Sequence, residues 1–171
     1  MSTFLTAEQE ALATEVADLL IARGETVGVS EGTSGGLVSA ALLWVAGASK
    51  YYRGGGVLYT LPSRIALAGV PAESYANYRG TTPELLAELT ESVRARLDAT
   101  WGIGESGLAG PTGSRYGAPA GRTTVAVAGP VTRAEVIETG TADRADNMVR
   151  FTTIALTYLR DAIREAPAKA G

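Results

Sequence analysis

Apolar residues recur at helical spacing at Leu12, Val16, Leu19 and Leu20, and this stripe predicts a first helix from about residue 6 to residue 23. Thr6 with Gln9 reads as its capping box and Gly24 as its stop. The pattern then changes period. "TVGVS" is a short, mostly apolar strand-like run, "GGLVSAALLWVAG" a helix apolar on most sides, and "GGGVLYT" a second strand that "LPSR" breaks. Three glycines in that second strand predict the close approach of another backbone or of a ligand. Thr82 before Pro83 is an N-cap and first-turn pair, and Leu86, Leu89, Val93 and Leu97 stripe a helix to about residue 98. "WGIGESG" is a third strand, followed by the loop "GLAGPTGSRYGAPAG". "RTTVAVA" and "AEVIET" are two further strands across the turn "GPVTR". A final helix carries Met148, Phe151, Ala155, Leu159 and Ala162 on one face, before a frayed "APAKAG" tail. Helices alternating with strands, then a late hairpin, predict a three-layer α/β/α domain with a mixed, mostly parallel sheet, spanning residues 1–171 as one unit.

Composition narrows the chemistry. Apolar residues make up 46% and charged residues 19% of the 171 positions, an ordinary globular balance. The net charge is −3, from 15 basic and 18 acidic residues dispersed along the chain, so there is no basic stripe for nucleic acid. Cysteine and histidine are both absent, which excludes disulfides, sulfur-ligated zinc, and Ser-His-Asp or Cys-His catalysis. Proton transfer would fall to Lys, Tyr, Glu, Asp or water. No metal and no cofactor is expected. "MSTFLTAEQE" lacks the pattern of a secretory leader, and no apolar run approaches the ~18 residues of a membrane span, so a cytoplasmic location away from membranes is the expectation.

Three glycine-bearing loops follow predicted strands: "EGTSGG", "YTLPSR" and "SGLAGPTG". At the carboxyl edge of a mostly parallel sheet such loops converge, and their amides together with a helix N-terminus suit a phosphate or carboxylate. The spacing is neither a P-loop, since no Lys follows the glycines, nor G-x-G-x-x-G. Each feature also has a structural explanation. Glycine turns between strand and helix are commonly conformational, Tyr59 could be a sheet residue with its hydroxyl at the rim, Arg64 a solvated helix-end cation, and Ser49 a cap. "KYYR", residues 50–53, could stack on a base or simply pack.

Taken together and in order, the loops resemble the C-terminal domain of the CinA family, whose active members are nicotinamide-nucleotide amidohydrolases. "EGTSGG" stands where the family has "ESCTGG", "AGASKYYRGGGVLY" resembles its "GSS" and "GGVVxY" segments, and "SGLAGPTG" resembles "SGIAGPxGG". The step from Pro111 to Pro119 and "GRTTVAVA" are similar to its "KPVGTVxxA". The resemblance covers nearly the whole chain. It implies the CinA C-terminal fold and a site for nicotinamide mononucleotide, which the family converts to nicotinic acid mononucleotide and ammonia. The family's dyad is a serine that attacks the carboxamide and a lysine that takes its proton. The resemblance puts Gly32 at the serine position and Arg64 at the lysine position. Glycine has no nucleophile, and a guanidinium with a pKa above ~12 is no base.

The resemblance therefore implies a pocket for a nucleotide or related anionic heterocycle with the dyad replaced and its chemistry altered, specialised metabolism being one setting for this. Ser34, Tyr59, Arg64 and Glu31 are the candidate catalytic groups. Gly32, Thr33, Gly35, Gly36, Ser49, Ser106, Gly107, Ala109, Gly110 and Pro111 are the candidate substrate-binding residues. Two other functions stay open: a catalytically silent pyridine-nucleotide-binding or hetero-oligomer subunit, and a conventional deamidase using Thr33, Ser34 or activated water. The expected partner is a small anionic substrate, with no nucleic acid and no membrane, and the expected assembly is a homo-oligomer of at least two chains.

Overall fold

The computed structural model describes residues 4–167. Helix α1 spans Ala7–Arg23, with the Thr6 hydroxyl accepting from the Gln9 amide and the Gln9 side chain accepting from the Thr6 amide. Gly24, at φ 63°, ends it in a left-handed cap. Strand β1 is Val27–Glu31 and helix α2 is Leu37–Trp44. The apolar run around α2 is longer than the helix because Val45 turns extended and Gly47 adopts φ 88°, leading into a short 3-10 turn at Ala48–Lys50.

Strand β2, Tyr52–Val57, starts earlier than the glycine run suggests. "LPSR" does more than end it. Thr60 caps a further helix, α3, Leu61–Ala68, by accepting from the Ser63 amide, and Pro62 sits in the first turn, where a missing N–H costs nothing. A 3-10 turn at Ala72–Tyr75 precedes α4, Pro83–Arg96, capped by Thr82 as its sequence predicts. Then follow β3, Trp101–Leu108; β4, Arg122–Ala128; β5, Arg133–Glu138; and α5, Arg144–Glu165.

The sheet order is β2-β1-β3-β4-β5, parallel for β2, β1 and β3 and antiparallel across β3-β4 and β4-β5. Helices α1, α2 and α5 cover one face, and α3 and α4 lie on the other, which makes three layers. The larger core lies under α1, α2 and α5, where Leu20, Leu42, Trp101, Phe151 and Leu159 are fully buried. Each such side chain stabilises the fold by roughly 1.5–3 kcal/mol. Met148, at the start of the α5 stripe, is only half-buried. Under α4, Leu86, Leu89 and Val93 form a second, smaller core. The close approach made possible by β2 is to backbone: a Cβ at Gly55 would stand 2.6 Å from the Val29 carbonyl oxygen of β1. At the end of α5, Ala166 is buried and its carbonyl accepts from Arg23 Nη1 at 3.0 Å; residues 168–171 of the predicted tail lie outside the described residues.

Candidate functional site

The carboxyl ends of β1 and β3 are in register, so Glu31 pairs with Glu105 across the strands. Side chains alternate between faces along a strand, so Glu105 and its neighbour Ser106 point to opposite sides of the sheet. Their partners fit that alternation. Glu105 accepts from the Ser34 amide and the Thr123 hydroxyl, both at 2.8 Å, whereas Ser106 meets Arg64 of α3.

On the α2 side, the polar groups of the turn at residues 32–36 are bonded to one another. Glu31, 1% exposed, accepts from the Ser34 hydroxyl at 2.7 Å and from the amides of Gly36, Val38 and Ser39 at 3.0, 3.1 and 3.0 Å. It occupies the N-terminus of α2, satisfying amides that a helix otherwise leaves orphaned. Thr33 bridges to β3: its hydroxyl donates to the Gly107 carbonyl at 2.8 Å and accepts from the Gly107 amide at 2.7 Å. Gly35 and Gly36, at φ 67° and 102°, supply the left-handed backbone of the turn. Gly32 is different. Its φ is not left-handed, and a Cβ there would meet the Glu105 carbonyl oxygen at 3.4 Å and Ser106 Oγ at 3.7 Å, ordinary contact distances. The position accepts a side chain, and that side chain would start beside Ser106.

Glu105 is buried beside Glu31. Burial pushes its carboxyl pKa upward from the ordinary 4.5, the bonds from Ser34 and Thr123 oppose this, and the Glu31 charge adds to it.

On the α3 side the balance is reversed. Arg64 is 2% exposed, and its guanidinium donates from Nε to the Leu58 carbonyl at 3.1 Å, from Nη1 to Thr81 Oγ1 at 3.0 Å and from Nη2 to Ser106 Oγ at 2.8 Å. All three acceptors are neutral, and among the described residues Arg64 forms no ion pair. A buried cation ordinarily has an anionic partner, because desolvating an ion costs several kcal/mol. The guanidinium has five N–H groups, so two more, one on each terminal nitrogen, are not assigned to these bonds. Hydroxyls continue from it in a row: Thr81 Oγ1 lies 3.0 Å from both Ser106 Oγ and Tyr78 Oη. The Thr124 hydroxyl fixes this wall by donating to the Thr81 carbonyl at 2.8 Å. Behind Arg64, burial raises the pKa of Tyr75, with the nearby guanidinium opposing.

Arg64 lines a cavity of about 630 Å³, the size of a small-molecule site. Of the residues singled out from sequence, Thr33, Tyr59, Ser106 and Gly107 line it with Arg64. Tyr59, 58% exposed, stands at the rim. The others lie elsewhere. Ser34 is fully buried, and Glu31, Gly35 and Gly36 belong to the turn behind the cavity wall. Ala109 and Gly110 hold their loop against α5, their carbonyls accepting from Asn147 Nδ2 at 2.8 Å and Arg144 Nη1 at 2.9 Å; Pro111 follows them and is exposed. Ser49 is exposed in the 3-10 turn before β2, at the amino edge of the strands.

Sequence reasoning missed the segment between α3 and α4. Residues 73–82, "ESYANYRGTT", form one wall and bring in Tyr78, Arg79 and Thr81, while Arg122 and Thr124 come from β4. A run of two tyrosines, an arginine and two threonines between proline and helix was the available signal. Among the described residues no cluster of three or more Asp or Glu side chains could hold a metal ion, and no helix is long and apolar enough to cross a membrane.

The chain is thus a three-layer α/β/α sheet protein with an arginine-lined cavity at the carboxyl edge of its parallel strands. The CinA C-terminal domain matches residues 9–163, and the chain belongs to that family. It is 40% identical over 123 residues to a CinA-like protein of Prochlorococcus marinus (strain MIT 9313), and 35% identical over 157 residues to one of Gloeobacter violaceus (strain ATCC 29082 / PCC 7421). These matches cover 72% and 90% of this chain but only 29% and 37% of the relatives, so the chain spans about a third of their length. The crystal structure of competence damage-inducible protein A (ComA) from Klebsiella pneumoniae subsp. pneumoniae MGH 78578 superposes with a TM-score of 0.87 at 27% identity, covering 92% of this chain and 98% of that one. A CinA superfamily protein from Klebsiella pneumoniae 700603 superposes at 0.86 with 26% identity, covering 91% and 98%. The three-layer fold, mixed sheet and late hairpin are those of this family.

Proposed function

We propose that this domain binds a nucleotide-like anionic small molecule in the Arg64 cavity and does not carry out amide hydrolysis by the serine–lysine route of its family. The observation that carries the reading is a buried guanidinium, bonded only to neutral oxygens, at the wall of an open cavity. Such a cation is completed by the charge of an anion from solution, reached through an N–H group not bonded within the chain or through the hydroxyls of Thr81 and Ser106. The local chemistry agrees. Gly32 offers no nucleophile, the Ser34 hydroxyl is donated to Glu31, and the Thr33 hydroxyl is held between the amide and carbonyl of Gly107.

Calorimetry with nicotinamide mononucleotide and its acid form, followed by an ammonia assay on the same samples, tests the reading. Salt-sensitive binding of at least one of them, with no ammonia released, is expected; binding of neither would overturn it.

The hydroxyl row supports a second reading. Ser106, Thr81 and Tyr78 are linked beside a fixed positive charge, a setting that can stabilise an oxyanion or relay a proton in altered chemistry. A metabolite extract whose components change on incubation with the protein, and not with Ser106→Ala, would favour it over pure binding.

A further inference from the structure

Helix α2, "LVSAALLW", carries no charged residue and one polar one, Ser39. A helix apolar on every side belongs in an interior, whereas a surface helix turns a polar face to water. Here the outer face is open: Leu43 and Trp44 are 53% and 40% exposed, and Leu37 and Ala40, earlier on the stripe that ends at Trp44, are half-buried. The helix packs on β1 and β2, and β2 is an edge of the sheet. Val57 of β2, 47% exposed, continues the apolar surface beside α2, since a Cβ at Gly36 would stand 3.8 Å from its Cγ2. The edge itself is unpaired. The Leu58 amide turns inward and donates to the Glu31 carbonyl of β1 at 2.7 Å, so strand alternation points the N–H and C=O groups of Val57 and Gly55 away from the sheet. Gly54, Gly55 and Gly56 leave this edge without side chains, and an unobstructed edge is a template for another strand. The opposite edge, β5, is guarded by Arg133, Glu135 and Glu138, with Arg133 paired to Glu165 at 2.6 Å.

We infer that a second copy of this chain covers this surface, β2 pairing antiparallel with its counterpart about a two-fold axis at Gly56 to join the two five-stranded sheets into one. The choice of occupant follows from self-complementarity. In this register Gly55 of each chain lies opposite Val57 of the other, so the outward backbone groups of both residues find partners. The one charged residue of β2, Arg53, falls beside Tyr59 of the second copy and not beside another Arg53, which keeps like charges apart. Antiparallel pairing about such an axis keeps the same face of both sheets on one side. The two α2 helices therefore lie next to each other, and Leu43 and Trp44 meet their counterparts. A stable interface takes roughly 800 Å² from each chain, and Leu43, Trp44, Val57 and Tyr59 supply on the order of 400 Å² of it before the strand edge is counted. The contact lies mainly on the α2 face, across the sheet from the Arg64 cavity, and needs no ligand.

Sedimentation equilibrium of the whole chain at micromolar concentration should give twice the chain mass. Leu43→Glu/Trp44→Glu, which puts charge on the shared face at positions already exposed in one chain, should sediment as a monomer and keep a cooperative thermal melt. The chain has no cysteine, so a single Gly56→Cys reads the register directly. At a non-hydrogen-bonded antiparallel pair the two Cα atoms stand ~4.5 Å apart, within disulfide range. The new Cβ would meet the flexible end of the Leu58 side chain at 3.3 Å, a contact that a small shift relieves. Mild oxidation should link Gly56→Cys into a covalent dimer on denaturing gels, whereas Glu138→Cys, on the β5 edge, should remain a single chain. A monomer at every concentration would overturn the inference. So would a dimer that survives Leu43→Glu/Trp44→Glu, or one that cross-links through Gly56→Cys no better than through Glu138→Cys.

Discussion

Glu105 and Ser106 are consecutive residues of one strand, yet the regions they enter have opposite character. On the Glu105 side, two buried carboxylates are surrounded by amide and hydroxyl donors, and the donors of the β1–α2 turn are consumed within the fold. On the Ser106 side, a buried guanidinium has only neutral acceptors and faces a cavity. Both regions contain serines, threonines and charged groups. Neither side neutralises its buried charge with an ion pair; what separates them is that the carboxylates are enclosed by donors of the fold, whereas the guanidinium lines an open cavity.

The largest effect expected from breaking this contrast is at Glu31. Replacing it with alanine strands the buried Val38 amide, the part-buried Gly36 and Ser39 amides and the buried Ser34 hydroxyl, and should destabilise the fold by about 3 kcal/mol. Urea unfolding measures it, and Glu31→Gln should recover part of the loss.

Thr33→Val comes next. It keeps the shape and removes both bonds to Gly107, for an expected cost of about 1–2 kcal/mol in the same assay.

Glu105 contributes a pH dependence. Its folded pKa is raised, chiefly by burial, so the folded state holds the proton more tightly than the unfolded one. The stabilisation from this group is full below the ordinary value of 4.5 and is lost as pH climbs through the raised folded pKa. Unfolding free energies measured upward from pH 4.5 should therefore fall less steeply in Glu105→Gln than in the parent protein.

The smallest effect on stability should come from Arg64→Met, although the residue is as buried as Glu31. Removing an unneutralised cation offsets its lost hydrogen bonds, so stability should stay within about 1 kcal/mol of the parent while affinity for an acidic nucleotide drops. A loss as large as that of Glu31→Ala would mean that Arg64 is structural.

The fold was legible where local signals agreed. Thr6, Gln9 and Gly24 delimit α1, and the Leu86–Leu89–Val93 stripe matches the face that α4 buries. Helix α3 was not legible, because its capping box uses Ser63 in place of the usual Glu or Gln and its proline suggested a break. The candidate site was readable only in outline. Gly32, Thr33 and Ser34 are adjacent in sequence, but the strand register that joins Thr33 to Gly107 and Ser34 to Glu105 decides where their polar atoms go. Arg64 had the pattern of a solvated helix cation; only the packing of Leu58, Thr81 and Ser106 around it reveals the burial. Residues 73–82 lack periodicity, so their tyrosines, arginine and threonines were visible in the sequence but their place as a cavity wall was not.

The central claim is that Arg64 serves an anion site and that, with no side chain at Gly32, the domain does not cleave amides by the serine–lysine route. Ammonia release from nicotinamide mononucleotide, measured for the parent protein and for Gly32→Ser/Arg64→Lys, tests it most directly. No release from the parent, and measurable release from the double variant, whose serine would begin 3.7 Å from Ser106 Oγ, is the predicted result. Steady, enzyme-dependent ammonia release by the parent protein would contradict it.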